Sequence, residues 1–170
     1  MMKLMKPVIE MKEAYEAYIS EWEISGERIT PMASSRNGKE YRELLKIWEE
    51  EATEKAYEKG WVPSTLYFLI DEVGKIYGAV HIRHELNDYL FHVGGHAGYG
   101  IRPSERKRGY ATKMLSLALP LAKQFGIAKL LVTCDKSNEA SAKTIRNNGG
   151  ILENEALYEG ETVQRYWINL

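Results

Sequence analysis

Cysteine is all but missing. Cys134 stands alone among 170 residues, which excludes an internal disulfide and any thiolate-built zinc site and suits a reducing compartment. No apolar run is long enough to span a bilayer, and the apolar part of Met1–Pro7 is too short for a secretory signal, so the expected location is cytoplasmic, with no membrane partner. Neither sign of charge dominates: 23 Lys and Arg against 24 Asp and Glu leave a net charge of -1, and nothing draws the whole chain to nucleic acid. Repeats, low-complexity segments and interdomain linkers are also absent, which leaves one domain over residues 1–170. The four histidines, His81, His84, His92 and His96, lack the i, i+4 helical spacing of a zinc site, so no metal is expected. What remains is 44% hydrophobic and 28% charged, enough to bury a core without staples.

Periodicity places the elements. Lys3 to Ile9 reads as a short strand, and Met11, Ala14, Tyr15, Tyr18, Ile19 and Trp22 recur at helical spacing over Met11–Ile24. Ser25 to Gly38 has no period and reads as a loop. Tyr41, Leu44, Leu45, Trp48, Ala52 and Ala56 predict a second helix over Glu40–Lys59 with an acidic outer face. Thr65–Asp71 and Ile76–Leu86 predict a hairpin turning at Glu72–Lys75, and a strand resumes over His96–Ile101 after the Gly94–Gly95 break. A helix over Tyr110–Phe125 contains Pro120, which should bend it. Lys129–Thr133 predicts a buried strand, Asn138–Asn148 a helix, and Ile151–Leu157 with Thr162–Ile168 a closing hairpin.

The stretch Gly98–Thr112 organises the rest. It runs from a strand end through the basic loop Arg102, Arg106, Lys107, Arg108 into a helix, with Gly109 and small Ala111 permitting close backbone approach. The first N–H groups of that helix lack carbonyl partners, and the aligned peptide dipoles add roughly half a positive charge there. A pyrophosphate fits such a place, with the side chains of Arg102, Arg106, Lys107, Arg108 and Lys113 adding charge. A solvated basic turn would show the same hexapeptide, so context matters: strand before, helix within, strand after, and then Asn138-Glu-Ala-Ser141.

Arg106-Lys-Arg-Gly109-Tyr-Ala111 matches Q/R-x-x-G-x-G/A, and with this context the chain resembles the GNAT superfamily of N-acetyltransferases over about Thr65–Gly150. The resemblance implies an α/β (α+β) fold: a mixed, mostly antiparallel central sheet of about six to seven strands, about four flanking helices, and a splay between the strands at 96–102 and 129–134. It implies acetyl-CoA as co-substrate, held by Gly100, Ile101, Arg102, Arg106, Lys107, Arg108, Gly109, Tyr110, Ala111, Thr112, Asn138 and Ser141. Many members carry a tyrosine seven residues after the asparagine, as proton donor to the leaving thiolate; here that position is Ile145.

Acetyl transfer to an amine needs a deprotonated nucleophile, a polarised carbonyl and a stabilised leaving thiolate. For the base, His96 at the start of the signature strand is the first candidate, since imidazole titrates in the useful range, and Glu85, sharing a strand face with His81 and Arg83, is the second. Each also reads as a structural group: a strand-end histidine, a salt-bridged surface carboxylate. Tyr158 or Tyr110 could replace the missing acid, or the thiolate could leave unassisted. Cys134 invites a ping-pong scheme, though a lone strand cysteine more often packs as a small hydrophobe. The expected activity is therefore direct acetylation of a primary amine, on a small molecule or peptide, in a ternary complex. A non-catalytic acyl-CoA-binding module is the alternative, and nucleic-acid binding by Arg102–Lys113 a weaker third. The closing hairpin offers an edge for a homodimer.

Overall fold

The computed structural model describes residues 1–170. In chain order the elements are β1 (Lys3–Met5), α1 (Lys12–Ser25), α2 (Tyr41–Glu51), β2 (Ser64–Ile70), β3 (Ile76–Arg83), β4 (Ala97–Ile101), α3 (Tyr110–Gln124), β5 (Lys129–Asp135), α4 (Glu139–Asn147), β6 (Ile151–Tyr158) and β7 (Glu161–Asn169). The strands form two antiparallel blocks, ordered β1-β2-β3-β4 and β5-β7-β6. Between β4 and β5 there is no ladder, so the sheet is split where the splay was expected.

Period-two alternation sorts the side chains of the first block into two cores. Leu66, Phe68 and Ala79 face α1 and α2, where Tyr15, Tyr18, Tyr41 and Trp48 make an aromatic cluster; the Tyr15 ring lies 5.1 Å from that of Tyr41 and 5.7 Å, edge-on, from that of Trp48. Tyr67, Leu69, Val80 and Ile82 face the other way, onto Met114, Leu115 and Ala118 of α3, and that core continues under the second block through Leu130, Val132 and Ile145. The two blocks thus share one core on the α3 side while their edges part.

Several boundaries differ from the sequence pattern for local reasons. The helix expected over 40–59 divides: α2 ends at Glu51, Thr53 turns extended, and its hydroxyl accepts from the Lys55 N–H to start a separate 3-10 turn over Glu54–Lys59. Hydrophobic spacing is blind to such a cap. β3 stops at Arg83, and Leu90–Gly94 forms a single π turn. α3 runs unbroken through Pro120, whose ring is on the exposed face, where the carbonyl it leaves unbonded can meet water. Glu159 and Gly160, with φ of 49° and 81°, make the tight turn between β6 and β7.

Candidate active site

The N-terminus of α3 is open. Gly109 is its N-cap at φ 80°, a left-handed conformation that a side chain would strain, and no side chain caps the helix. Lys113 is the first residue to bond back, to the Gly109 carbonyl, so the N–H groups of Tyr110, Ala111 and Thr112 lack protein acceptors. The basic side chains nearby divide. Arg102 is buried and turned toward α1, paired with Glu21 at 2.7 Å and donating to the carbonyls of Ile76 and Ala17. Burial would raise the Glu21 carboxyl, but donors from Ser104 and Arg102 outweigh it and hold the group below the usual range. Arg106 lies over the Trp22 ring at 5.0 Å and pairs with Glu27, and Arg108 pairs with Glu105, which also binds Lys75. Lys107 and Lys113 are exposed without carboxylate partners. The donors left free here are main-chain N–H groups and those two lysines, while Arg102 and Arg106 tie the loop to α1.

The gap beside that helix end is shaped by β4. Its even residues bond β3: the Arg83 N–H donates to the His96 carbonyl, and the Arg102 N–H to the Tyr77 carbonyl. Alternation then turns the N–H and C=O groups of Ala97, Tyr99 and Ile101 away from β3, toward β5. At the closed end the His96 N–H donates to the Leu131 carbonyl at 2.7 Å, and His96 Nδ1 accepts from the Leu131 N–H at 2.8 Å. Gly95 is required there, because a Cβ would stand 2.6 Å from the Leu131 oxygen. The strands part beyond this junction.

On the α4 side of the gap, the Tyr99 hydroxyl lies 2.8 Å from Ser141 Oγ, and Cys134 shares the same hydroxyl as a partner. Burial raises the Tyr99 phenol to about 12, with Ser141 opposing the shift, and burial likewise raises the Cys134 thiol. Both groups hold their protons at neutral pH. Asn138 caps α4, its Oδ1 accepting from the Ser141 N–H at 3.1 Å. Ile145 is fully buried in the core.

The opposite face of β4 carries no side chain at Gly98 or Gly100. A Cβ on Gly100 would fall 2.2 Å from the Thr30 carbonyl oxygen, so the loop between α1 and α2 lies directly on that strand, and Pro31 sits over Gly98. Beside them, on the same face of β3, His81 and Arg83 are hemmed in by protein yet keep part of their surface open. Burial, aided by the Arg83 charge, lowers the His81 imidazole to about 3 and that of His96 to about 4, so both rings are neutral. His96 spends its Nδ1 lone pair on Leu131, which leaves the neutral ring's proton on Nε2. Glu85 is exposed beyond the end of β3 and accepts from the Tyr57 hydroxyl at 2.6 Å. Tyr158 lies at the β6–β7 turn, edge-on to Tyr89 at 6.0 Å. The structure therefore gathers Gly100, Ile101, Gly109, Tyr110, Ala111, Thr112, Asn138 and Ser141 around the gap, puts His96 at its apex, and sets Glu85 at the end of β3.

Tyr99 escaped the sequence reading of the site. The signal was its parity: it alternates with Gly98 and Gly100, so it had to face α4.

The model of the acetyltransferase (GNAT) domain matches residues 5–151, and the chain belongs to that family. Solved structures agree at the level of fold. A GNAT-family acetyltransferase from Streptococcus pneumoniae superposes with a TM-score of 0.68 at 14% identity, covering 100% of this chain and 99% of that one. A chimera of the Vibrio cholerae spermidine N-acetyltransferase SpeG with hSSAT gives 0.66 at 15%, covering 99% and 95%. RimL, a ribosomal alpha-N-protein acetyltransferase solved with coenzyme A, gives 0.65 at 15%, covering 99% and 94%. No curated protein sequence matches the chain.

Proposed function

We propose that the protein transfers the acetyl group of acetyl-CoA directly to a primary amine in a ternary complex. The observation that carries this reading is the conjunction of the uncapped α3 N-terminus with an unladdered strand edge running away from it: one suits a diphosphate, the other an amide-bearing arm laid in like a strand. The outward N–H groups of Tyr99 and Ile101 are the donors for the thioester oxygen as charge develops on it. The amine's lone pair forms the C–N bond as the C–S bond breaks, and the Tyr99 hydroxyl returns a proton to the sulfur. This tyrosine reaches the gap from β4 and so answers the isoleucine at 145.

For the amine proton, His81 has an unengaged neutral ring on the face of β3 that it shares with Arg83, whereas His96 holds the apex. Cys134 stays a protonated thiol beside Ser141, which favours direct transfer over an acetyl-cysteine. Calorimetry with CoA and acetyl-CoA, followed by thiol release across a panel of amines, tests the proposal. Binding heat plus amine-dependent thiol release is expected; binding without release from any amine would make the chain a CoA-binding module, and no heat with either ligand would overturn both.

A further inference from the structure

Arg83 is a half-buried cation on the same face of β3 as His81, and no carboxylate of the protein pairs with it. Its Nη1 donates to the carbonyls of Gly94 at 3.0 Å and Gly95 at 3.3 Å; its Nη2 and Nε bond to nothing. No carboxylate lies within ion-pair distance of it, and burial depresses its basicity. This differs from the other enclosed arginines, Arg102 with Glu21 and Arg165 with Glu153. Those two are structural pairs. Leaving a guanidinium half-desolvated without an anion is costly, and an anion placed against its free donors would gain strong charge-assisted hydrogen bonds.

Gly98 lies opposite, and a Cβ there would stand 3.5 Å from Nη2 and 3.7 Å from Pro31, so the missing side chain leaves room of about one methyl group beside the guanidinium. His81 is two residues earlier on the same face of β3, about 6.6 Å along the strand. The acidic face of α2 does not compensate: Glu50 and Glu51 are engaged by Lys55 and Lys59.

Resting on the acetyl-transfer reading above, we infer that the acceptor is a short amino acid or aminoalkyl phosphonate, its anion held by Arg83 while its amine lies near His81. The same charge repels polyamines. The fork geometry of guanidinium suits a planar carboxylate bidentately, and one strand pleat between anion and amine limits the acceptor to a few bonds.

The test compares matched pairs: α-, β- and γ-amino acids and aminoalkyl phosphonates against the carboxamide or decarboxylated amine of each, with spermidine as the cationic control, read as thiol release. The wild-type protein should favour the anionic member by about 10-fold or more in kcat/KM, the worth of one such ion pair. Arg83→Gln should bring the pairs within about 3-fold of each other. Because that variant could loosen the Gly94–Gly95 turn, Gly98→Ala is the second arm; its methyl fits the protein in ordinary contact with the guanidinium and takes the place beside it, so KM for the acids should rise about 10-fold. Equal or better use of carboxamides or spermidine by the wild type overturns the inference, as does release from no anionic amine. Failure to bind CoA at all would instead defeat the acetyl-transfer reading beneath it.

Discussion

Two neutral imidazoles, His81 and His96, show how burial sets chemistry at single positions. His96 gives its lone pair to Leu131 and His81 keeps its own. His81→Gln should therefore lower kcat by about 10²-fold with CoA affinity retained, the range for loss of a general base. His96→Ala should chiefly destabilise, by about 1–3 kcal/mol for the orphaned Leu131 N–H, seen as a lowered denaturation midpoint. Tyr99→Phe should slow thiol release while leaving the fold intact. Both histidines also make stability depend on pH. Their folded pKa values, about 4 and about 3, lie below the ordinary 6.5, so the unfolded chain binds more protons as acid is added. Their contribution is full above about pH 6.5 and is lost as pH falls toward 4 and then 3. Urea midpoints measured from pH 7.5 to 4.5 should fall over that window, and less so in His96→Gln; a flat profile would mean that the rings are not buried as described.

At the scale of elements, the signature loop divides its labour between backbone and side chains. Arg102 fastens β4 to α1, so Arg102→Ala should cost about 2–3 kcal/mol of stability, less than a fully enclosed pair because Glu21 stays partly exposed. Lys107→Ala with Lys113→Ala should instead weaken CoA binding and flatten its salt dependence. Gly100→Ala is the sharper probe, because its methyl cannot coexist with the Thr30 carbonyl: the α1–α2 loop must lift from β4, and acceptor KM should suffer before CoA affinity does. The sequence announced the loop, its glycine and the following helix, because a left-handed turn into a helix takes glycine at a fixed place. It announced the strands through alternation. It hid which way each arginine turns, since that depends on Glu21 and Glu27, some 80 residues away. It hid the α2 break as well, since Thr53 ends a helix through a hydroxyl that hydrophobic spacing does not register. Arg83 was visible only as a residue sharing a face with His81; its want of a counter-ion is a fact about everything packed around it.

For the whole molecule, the divided sheet means that the two blocks meet through the His96–Leu131 junction and the common core under α3, and not through a continuous ladder. A ligand arm lying in the gap would supply the bonds that the strands withhold from each other, so binding and cohesion are linked: a ligand that prefers the folded state stabilises it by about 2.7 kcal/mol at a hundredfold excess over Kd. The linkage has an address. The Tyr99 and Ile101 amides should exchange with solvent deuterium quickly in the free protein, and the Tyr110–Thr112 amides likewise, because none has a protein acceptor. The neighbouring amides of Arg83 and Arg102, bonded across β3 and β4, should be slow in either state. Saturating acetyl-CoA should slow the first set and leave the second where it was. If protection rose evenly across both blocks, the ligand would be tightening the fold from elsewhere, and the gap beside α3 would not be its seat.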